Sequence, residues 1–260
     1  MAADAPTTSA RGPLSHRGVV GLLTPPANTT VEPELGALLA EGMSLHATRM
    51  PGRNAEDTSI GLRERFLGYV DALADASDSF GGMRLDALLF ACTGCSYLVG
   101  APGEQDLLTR MRSSGAPHVQ TAAGAVRTVL ERAGITSLAL VSPYPEWLTR
   151  AAVDYWTSYG YVVTDVVSAS TGNSIYTIRT DEVISAVRQL AQTEAESIIL
   201  SGTGMATAVA MDQLYGNTRA PLLSPNTCAA WWLTSTLAPD AMADSPRIIR
   251  NIDHLSGRRR

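Results

Sequence analysis

Residues 86–94 read DALLFACTG, and residues 196–204 read ESIILSGTG, with the same order of acidic, apolar and small polar side chains. A second pair matches in the same way, because residues 19–25 end in Thr-Pro and residues 138–143 end in Ser-Pro. The members of the two pairs are separated by similar lengths of chain. The repeat therefore predicts two duplicated halves, each with at least two strands that lead into polar loops.

Short apolar runs alternate with longer amphipathic stretches along the whole chain. The apolar runs predict strands, and the amphipathic stretches predict helices. Strands that are apolar on both faces and alternate with helices indicate a parallel sheet that is covered on both sides. The predicted strands are residues 19–23, 85–91, 137–141, 161–167 and 197–200, and the predicted helices are residues 60–77, 122–133, 148–159 and 181–194.

These patterns predict an α/β protein with two pseudo-symmetric, flavodoxin-like halves that face each other across a cleft. Residues 1–17 are rich in Ala, Pro, Ser and Thr and lack apolar periodicity, so they are predicted to form a flexible N-terminal tail. We expect residues 18–115 together with 225–250 to form the first half and residues 116–224 to form the second. Residues 251–260 are predicted to be a C-terminal tail.

Composition excludes several classes of chemistry and partner. Hydrophobic residues make up 45% and charged residues 17% of the 260 residues, which is typical of a globular protein. All 20 basic residues are arginine, which excludes Schiff-base chemistry, a pyridoxal phosphate lysine and a P-loop lysine. A net charge of −5 gives no electrostatic basis for binding nucleic acid.

No metal site, membrane segment or disulfide framework is expected either. The four histidines are scattered without ligand spacing, and the apolar runs are far shorter than the roughly 20 residues of a membrane span. Asp4, Pro6 and Pro13 interrupt the place of a secretory leader, so a cytoplasmic protein is expected. An odd and small number of cysteines also favours a reducing compartment.

The loops that follow the predicted strands are polar and almost without charge. In open parallel sheets ligands bind at the carboxyl ends of strands, where such loops lead into helices. These loops offer backbone N–H and hydroxyl donors, which suit a carboxylate or phosphate group. They comprise residues 24–30, 92–97, 142–146, 170–174 and 202–205.

Cys92 is the main candidate for chemistry, because it ends a predicted strand and precedes a predicted helix. The helix dipole and free N–H groups at such a position favour a reactive thiolate. The alternative is a buried cysteine that packs as a small hydrophobe. Cys92 and Cys95 also form a C-x-x-C pair, but a thioredoxin-like function is disfavoured because the duplicated loop lacks both thiols. Cys228 is expected to pack at the start of a helix.

Three polar side chains are candidates for binding or proton transfer. Tyr144, after a strand of the second half, can donate a hydrogen bond to an oxyanion or relay a proton. Asn28 and Asn173 can each donate to a carboxylate. The alternative roles are an amphipathic loop residue for Tyr144 and a helix cap or turn for the two asparagines.

Four motifs together resemble the maleate cis–trans isomerases and arylmalonate decarboxylases of the aspartate/glutamate racemase superfamily. They are GLLTPPANTTVEPE at residues 21–34, ACT at 91–93, SPY at 142–144 and GN at 172–173. The resemblance spans residues 18–237, and the element P-x-x-N-T-T-x-E-x-E is specific to the isomerases. It implies an active site between two α/β halves, a small carboxylate or dicarboxylate substrate, and catalysis without cofactor or metal. A homo-oligomer is compatible with this architecture.

The resemblance also implies one cysteine from each half, on opposite faces of the substrate. Cys92 matches the first, and the second falls on Gly202, so two-base racemisation is disfavoured. Cis–trans isomerisation needs only one nucleophile and is the leading hypothesis, with Cys92 in that role. The alternatives are decarboxylation of a substituted malonate with Cys92 as proton donor, a protein that only binds carboxylates, and a hydrolase or lyase that forms a Cys92 thioester.

Both leading reactions pass through an enediolate, which needs preorganised hydrogen-bond donors. By resemblance, the two asparagines would hold the other carboxylate, and the enediolate would be held by donors from Thr93, Gly94, Tyr144, Thr203 and Gly204. The predicted catalytic residues are Cys92 and Tyr144, and the predicted binding residues are Asn28, Thr93, Gly94, Asn173, Gly202, Thr203 and Gly204.

Overall fold

Two parallel four-stranded sheets form the frame of the protein. The structure is a computed structural model that describes residues 14–52, 59–169 and 175–257. The first sheet contains β1 (Gly18–Thr24), β2 (Met43–Arg49), β3 (Ala87–Phe90) and β4 (His118–Thr121) in the order β2-β1-β3-β4. The second contains β5 (Ser137–Ser142), β6 (Val162–Ser168), β7 (Ser197–Leu200) and β8 (Leu222–Leu223) in the order β6-β5-β7-β8.

The two sheets repeat one topology, with β1 equivalent to β5 and β3 equivalent to β7. These are the strands that the internal repeat predicted, so the duplication and the α/β fold class are confirmed. The shared order 2-1-3-4 is the order with which flavodoxin-like sheets begin, and their ligand sites lie beyond the carboxyl ends of the first and third strands. The central strands β3 and β7 are buried along their whole length, as their apolar sequences require.

Helices cover both sheets. The predicted helix at residues 60–77 is divided into two at Ala72, while the helix predicted at residues 122–133 has the predicted bounds. The helices are α1 (Val31–Leu38), α2 (Ser59–Asp71), α3 (Leu73–Asp78), α4 (Thr93–Met111), α5 (Ala122–Ala133), α6 (Glu146–Ser158), α7 (Thr180–Gln189), α8 (Thr207–Gln213), α9 (Pro225–Leu237) and α10 (Arg247–Ser256).

The predicted domain boundaries need two corrections. Strand β4 pairs with β3 in the first sheet, so a boundary between residues 115 and 116 wrongly separates β4 from its partner. The predicted C-terminal tail, residues 251–260, is also wrong in part, because α10 continues to Ser256 and buries Ile252. Of the predicted N-terminal tail, only residues 14–17 lie within the described residues, and the Arg17 guanidinium is paired with Asp240.

Two carboxylates join the halves on opposite sides of the cleft. On one side α4 packs against α6, and the buried Glu104 carboxylate accepts hydrogen bonds from the hydroxyls of Thr121, Tyr155 and Tyr159. On the other side Glu34 of α1 accepts from the backbone N–H of Ala208 at the start of α8. Because β1–α1 is equivalent to β5–α6 and β3–α4 to β7–α8, these two contacts are related by the internal pseudo-symmetry.

We expect Glu104→Gln to lower the free energy of unfolding by about 1–2 kcal/mol, because the new amide nitrogen cannot accept a hydrogen bond from a buried hydroxyl. Urea denaturation followed by circular dichroism measures the change. Glu131→Gln is the matched control, since Glu131 is exposed and its pair with Arg127 is of the kind that contributes at most about 1 kcal/mol. Equal midpoints for the two variants would contradict a role for Glu104 in joining the halves.

Candidate active site

The loops at the carboxyl ends of the four central strands meet in one small cavity between the halves. Its volume is about 10 Å³, close to the space that one water molecule needs. A four-carbon acid therefore requires the loops to separate before it can enter. The lining residues are Pro25, Phe66, Cys92, Thr93, Pro143, Tyr144, Ile175, Tyr176, Gly202, Thr203 and Gly204.

Cys92 occupies the predicted position between a strand and a helix. It follows β3, immediately precedes Thr93, the first residue of α4, and is only 4% exposed. Its sulfur lies 3.2 Å from the sulfur of Cys95, which in turn lies 3.6 Å from the carbonyl oxygen of Phe66. Burial, reinforced by the neighbouring Cys92 sulfur, raises the pKa of the Cys95 thiol well above its usual value, so Cys95 stays protonated.

Gly94 is needed at this turn because the helix start packs closely on α2. A β-carbon at position 94 would lie 2.5 Å from Cε2 of Phe66, which is closer than a packed side chain can approach. The predicted role of Gly94 as a backbone donor therefore has a packing role beside it. Phe66 also lines the cavity.

Thr93 and Tyr144 join the two halves at the edge of the cavity. The Thr93 hydroxyl and the Tyr144 phenol are 2.6 Å apart, and the Tyr144 ring packs edge-on against Tyr97, with ring centroids 6.0 Å apart. Burial raises the pKa of the Tyr144 phenol well above its usual value. Tyr144 is therefore protonated at neutral pH and available as a hydrogen-bond donor.

Asn28 has the capping role that the sequence suggested as the alternative, while its donation to a substrate carboxylate stays a prediction. Its side-chain oxygen accepts from the backbone N–H groups of Thr30 and Val31 at the start of α1, which is a capping role. Its amide nitrogen donates to the Thr203 hydroxyl at 3.0 Å, and that hydroxyl donates to the Ala91 carbonyl at 2.9 Å. Asn28 thus contacts the second half directly. Asn173 lies outside the described residues.

Gly202 has a backbone conformation that favours glycine. Its φ is +107°, and a β-carbon there would lie 2.8 Å from Cγ of Pro143 and 3.3 Å from the Tyr144 oxygen. Gly204 is restricted in a different way, because a β-carbon would lie 2.7 Å from the ring of Tyr176. The loop at residues 202–204 therefore packs closely against Pro143 and Tyr176.

Comparison with known proteins identifies the family. The sequence model of one family, described as arylmalonate decarboxylase, matches residues 20–248. The chain belongs to the arylmalonate decarboxylase family. The motif resemblance is thereby confirmed.

Both branches named by the motifs occur among the similar proteins. A maleate isomerase of Geobacillus stearothermophilus is 26% identical over 234 residues, which cover 84% of this chain and 91% of the relative. A structure of the Nocardia farcinica maleate cis–trans isomerase with a covalently bound succinylcysteine intermediate has a TM-score of 0.77 at 22% identity, covering 90% of this chain and 98% of that one. A crystal structure of arylmalonate decarboxylase has a TM-score of 0.71 at 19% identity, covering 89% and 99%.

The resemblance to the family implies that Gly202 stands at the position of the second cysteine, which stays a prediction. The positive φ and the contact with Pro143 show that an added side chain would not be accommodated without strain. The backbone of this loop therefore favours glycine at position 202.

We expect Gly202→Ala to lower the free energy of unfolding by about 1–3 kcal/mol, because the backbone and Pro143 must both adjust. Gly36→Ala is the matched control: Gly36 lies in α1 with open space around its β-carbon, and alanine there should be neutral or stabilising by up to about 1 kcal/mol. Thermal and urea unfolding of both variants measure the difference. A Gly202→Ala variant as stable as Gly36→Ala would show that the loop relaxes freely.

The structure brings six predicted site residues to one cavity and adds others. Cys92, Thr93, Tyr144, Gly202, Thr203 and Gly204 all line it, while their roles in catalysis stay predictions. Phe66, Ile175 and Tyr176 were missed, because they come from an amphipathic helix and from a segment without a motif.

Among the described residues, no cluster of His, Cys, Asp and Glu side chains could hold a metal ion. No helix in the described ranges has the length and apolar character needed to cross a membrane.

A supporting network behind Thr203 was also missed. The Asn226 amide donates to the Glu34 carboxylate at 2.7 Å and to the Thr203 carbonyl at 3.1 Å. Burial raises the pKa of Glu34, and the hydrogen bonds from Asn226, Ala208 and Thr207 lower it in part. Glu34 is the second Glu of the P-x-x-N-T-T-x-E-x-E element, so this motif could have indicated that Glu34 belongs to the site.

Proposed function

We propose that this protein is a cofactor-independent isomerase of a small cis-dicarboxylate such as maleate, with the Cys92 thiolate as nucleophile. The observation that carries the proposal is the position of Cys92, the one thiol among the described cavity-lining residues, beside the Thr93 and Tyr144 hydroxyls. A curated relative that is 26% identical is a maleate isomerase. The Nocardia farcinica isomerase structure contains a covalently bound succinylcysteine intermediate, which is a precedent for addition of a cysteine to the substrate.

In the first step the Cys92 thiolate adds to one carbon of the double bond. The new carbon–sulfur bond takes two electrons from sulfur, and the π electrons move onto the adjacent carboxylate to form an enediolate. The charge that develops on its oxygens needs donors that are already in place. Thr93 and the protonated phenol of Tyr144 are positioned for this role, and the N–H groups at the start of α4 favour the same charge.

In the second step the former double bond, now single, rotates, and the enediolate collapses. The electrons return to form a trans double bond, the carbon–sulfur bond breaks, and sulfur leaves as a thiolate. No atom or proton is gained or lost overall, so one nucleophile is sufficient. This explains how the chain can work without a thiol at Gly202.

The size of the cavity favours a small substrate. Phe66, Ile175 and Tyr176 line the cavity together with Cys92, and Pro25 and Pro143 line it from the two halves. A four-carbon dicarboxylate needs less displacement of these groups than a malonate that bears an aromatic ring. The small volume of the cavity therefore supports the isomerase hypothesis over the decarboxylase hypothesis.

Proton NMR of the protein incubated with maleate tests the proposal directly. We expect fumarate to appear, and intact-mass spectrometry to detect an adduct that depends on Cys92. A panel of malonates is tested in parallel. Loss of carbon dioxide from a malonate, with no conversion of maleate, would overturn the isomerase proposal.

Decarboxylation of a substituted malonate is the second candidate. The matching family model favours it, and the presence of a thiol on only one face suits a reaction that needs one proton donor. Since Cys92 lies on the face opposite to the second cysteine position, the product from a disubstituted malonate should have the opposite chirality to that of family members that use the second cysteine. Chiral chromatography of the product distinguishes this case.

A further inference from the structure

Two thiols that are nearly in contact lie at the start of α4, with Cys92 just before the helix and Cys95 in its first turn. The sulfur atoms of Cys92 and Cys95 are 3.2 Å apart. A disulfide bond is about 2.05 Å long, so the sulfurs need to approach by only about 1 Å to form one. The equivalent loop of the second half, residues 202–205, reads GTGM and has no thiol. The pair therefore belongs to the first half alone.

The two thiols differ in access to the cavity. Cys92 lines the cavity, whereas Cys95 is fully buried behind it, between the Cys92 sulfur and the carbonyl of Phe66. Cys95 also stays protonated while Cys92 is reduced, because its pKa is raised by burial and by the neighbouring sulfur. A small oxidant in the cavity therefore reaches Cys92 first. The cavity has room for a molecule of about the size of water, and hydrogen peroxide is only slightly larger.

We propose that Cys92 and Cys95 form a reversible oxidation site, at which a hydroperoxide converts the pair into a disulfide and removes the nucleophile. The expected loss of catalysis rests on the proposed function, whereas formation of the disulfide does not. The site would differ from a disulfide oxidoreductase, because its reaction partner is a hydroperoxide and its effect is on the activity of the protein's own cavity.

The chemistry balances in two steps. The Cys92 thiolate attacks one oxygen of the hydroperoxide, the O–O bond breaks, and the other oxygen leaves as an alcohol or water after taking a proton. Cys92 is then a sulfenic acid, oxidised by two electrons. The Cys95 sulfur next attacks the Cys92 sulfur, the S–O bond breaks, and the hydroxyl leaves as water with the proton that Cys95 gives up.

Cys95 would thus protect the active-site thiol from irreversible damage. Without a nearby thiol, a sulfenic acid can be oxidised further to sulfinic and sulfonic acids, which ordinary thiol reductants do not reverse. With Cys95 at 3.2 Å, the second step is intramolecular and competes with further oxidation. Reduction of the disulfide would restore both thiols.

Mass spectrometry after exposure to hydrogen peroxide tests the site. Cleavage at arginine leaves Cys92 and Cys95 in one peptide, residues 85–110, and Cys228 in another, residues 220–247. We expect the first peptide, which contains no methionine, to lose two hydrogen atoms, and Cys228 in the second to remain a free thiol. A wild-type peptide 85–110 that gains oxygen atoms, or that becomes linked to peptide 220–247, would overturn the proposal.

Two variants separate the roles of the thiols. Cys95→Ser keeps a hydrogen-bond donor, and its peptide should gain two or three oxygen atoms. Cys228→Ala is the matched control, because Cys228 is also fully buried and burial raises its pKa; this variant should still lose two hydrogen atoms in peptide 85–110. A Cys95→Ser peptide 85–110 that gains no oxygen atoms would contradict a protective role of Cys95.

Activity gives a second measurement. After peroxide and then dithiothreitol, the wild type should regain its own untreated rate, while Cys95→Ser should regain at most about a tenth of its own, because sulfinic acids persist. The mass measurement needs no substrate. If maleate is not converted at all, the proposed function has failed. The peptide masses still test the oxidation site, because they do not depend on activity.

Discussion

Cys92→Ala should reduce the conversion of maleate to fumarate by about 10³-fold or more, the scale seen when an enzyme loses its nucleophile. The reason is specific to this cavity. The other lining side chains within the described residues are hydroxyls, phenols, prolines, glycines, Phe66 and Ile175, and none of them can replace a thiolate at neutral pH. Proton NMR of substrate and product measures the rates of the wild type and of the variant.

Cys228→Ala is the control for the effect of removing a buried thiol. Cys228 is fully buried in α9 and does not line the cavity, so its loss should leave turnover within a few-fold of the wild type. Melting curves of both variants exclude unfolding as the cause of a lost rate. Full turnover by Cys92→Ala would show that Cys92 is a packing residue, the alternative that its burial leaves open.

The prediction of the fold succeeded where burial leaves a clear trace in sequence. Strands β3 and β7 are covered on both faces, so they read as continuous apolar runs, and their repeat revealed the duplication. Strands β2, β4 and β8 were missed. They lie at sheet edges, where β2 is only half-buried and β8 has two residues, so neither an apolar run nor a clear alternation is required. The missing β4 also caused the error in the domain boundary.

The candidate site was predictable to the extent that it lies at strand ends. Thr93 and Tyr144 could each be identified from a strand followed by a polar loop, but the 2.6 Å contact between them depends on how the halves dock. The same is true of Phe66, which reaches the cavity only because Gly94 allows α4 to approach α2. Contacts of this kind depend on tertiary packing, which has no local pattern in the chain.

The second large effect is expected for Tyr144→Phe, which should lower kcat by about 10²-fold, the scale associated with losing one preorganised donor to an oxyanion. Phenylalanine keeps the ring that packs against Tyr97 and removes only the hydroxyl that meets Thr93. Because the raised pKa keeps this phenol protonated well above neutral pH, the wild type should retain the donor into alkaline solution. The fall should therefore appear in kcat at every pH from neutral to moderately alkaline, with a smaller change in KM.

Tyr155→Phe is the matched control, because Tyr155 is also buried in the same aromatic cluster but donates to Glu104, away from the cavity. It should cost stability and leave kcat within a few-fold of the wild type.

Thr93→Val then tests the pair. Since Thr93 and Tyr144 share one hydrogen bond, the double variant should lose less activity than the product of the two single losses. If Tyr144→Phe and Tyr155→Phe had equal kcat, the phenol of Tyr144 would have no part in stabilising the enediolate. The donors for that charge would then be the backbone N–H groups at the start of α4.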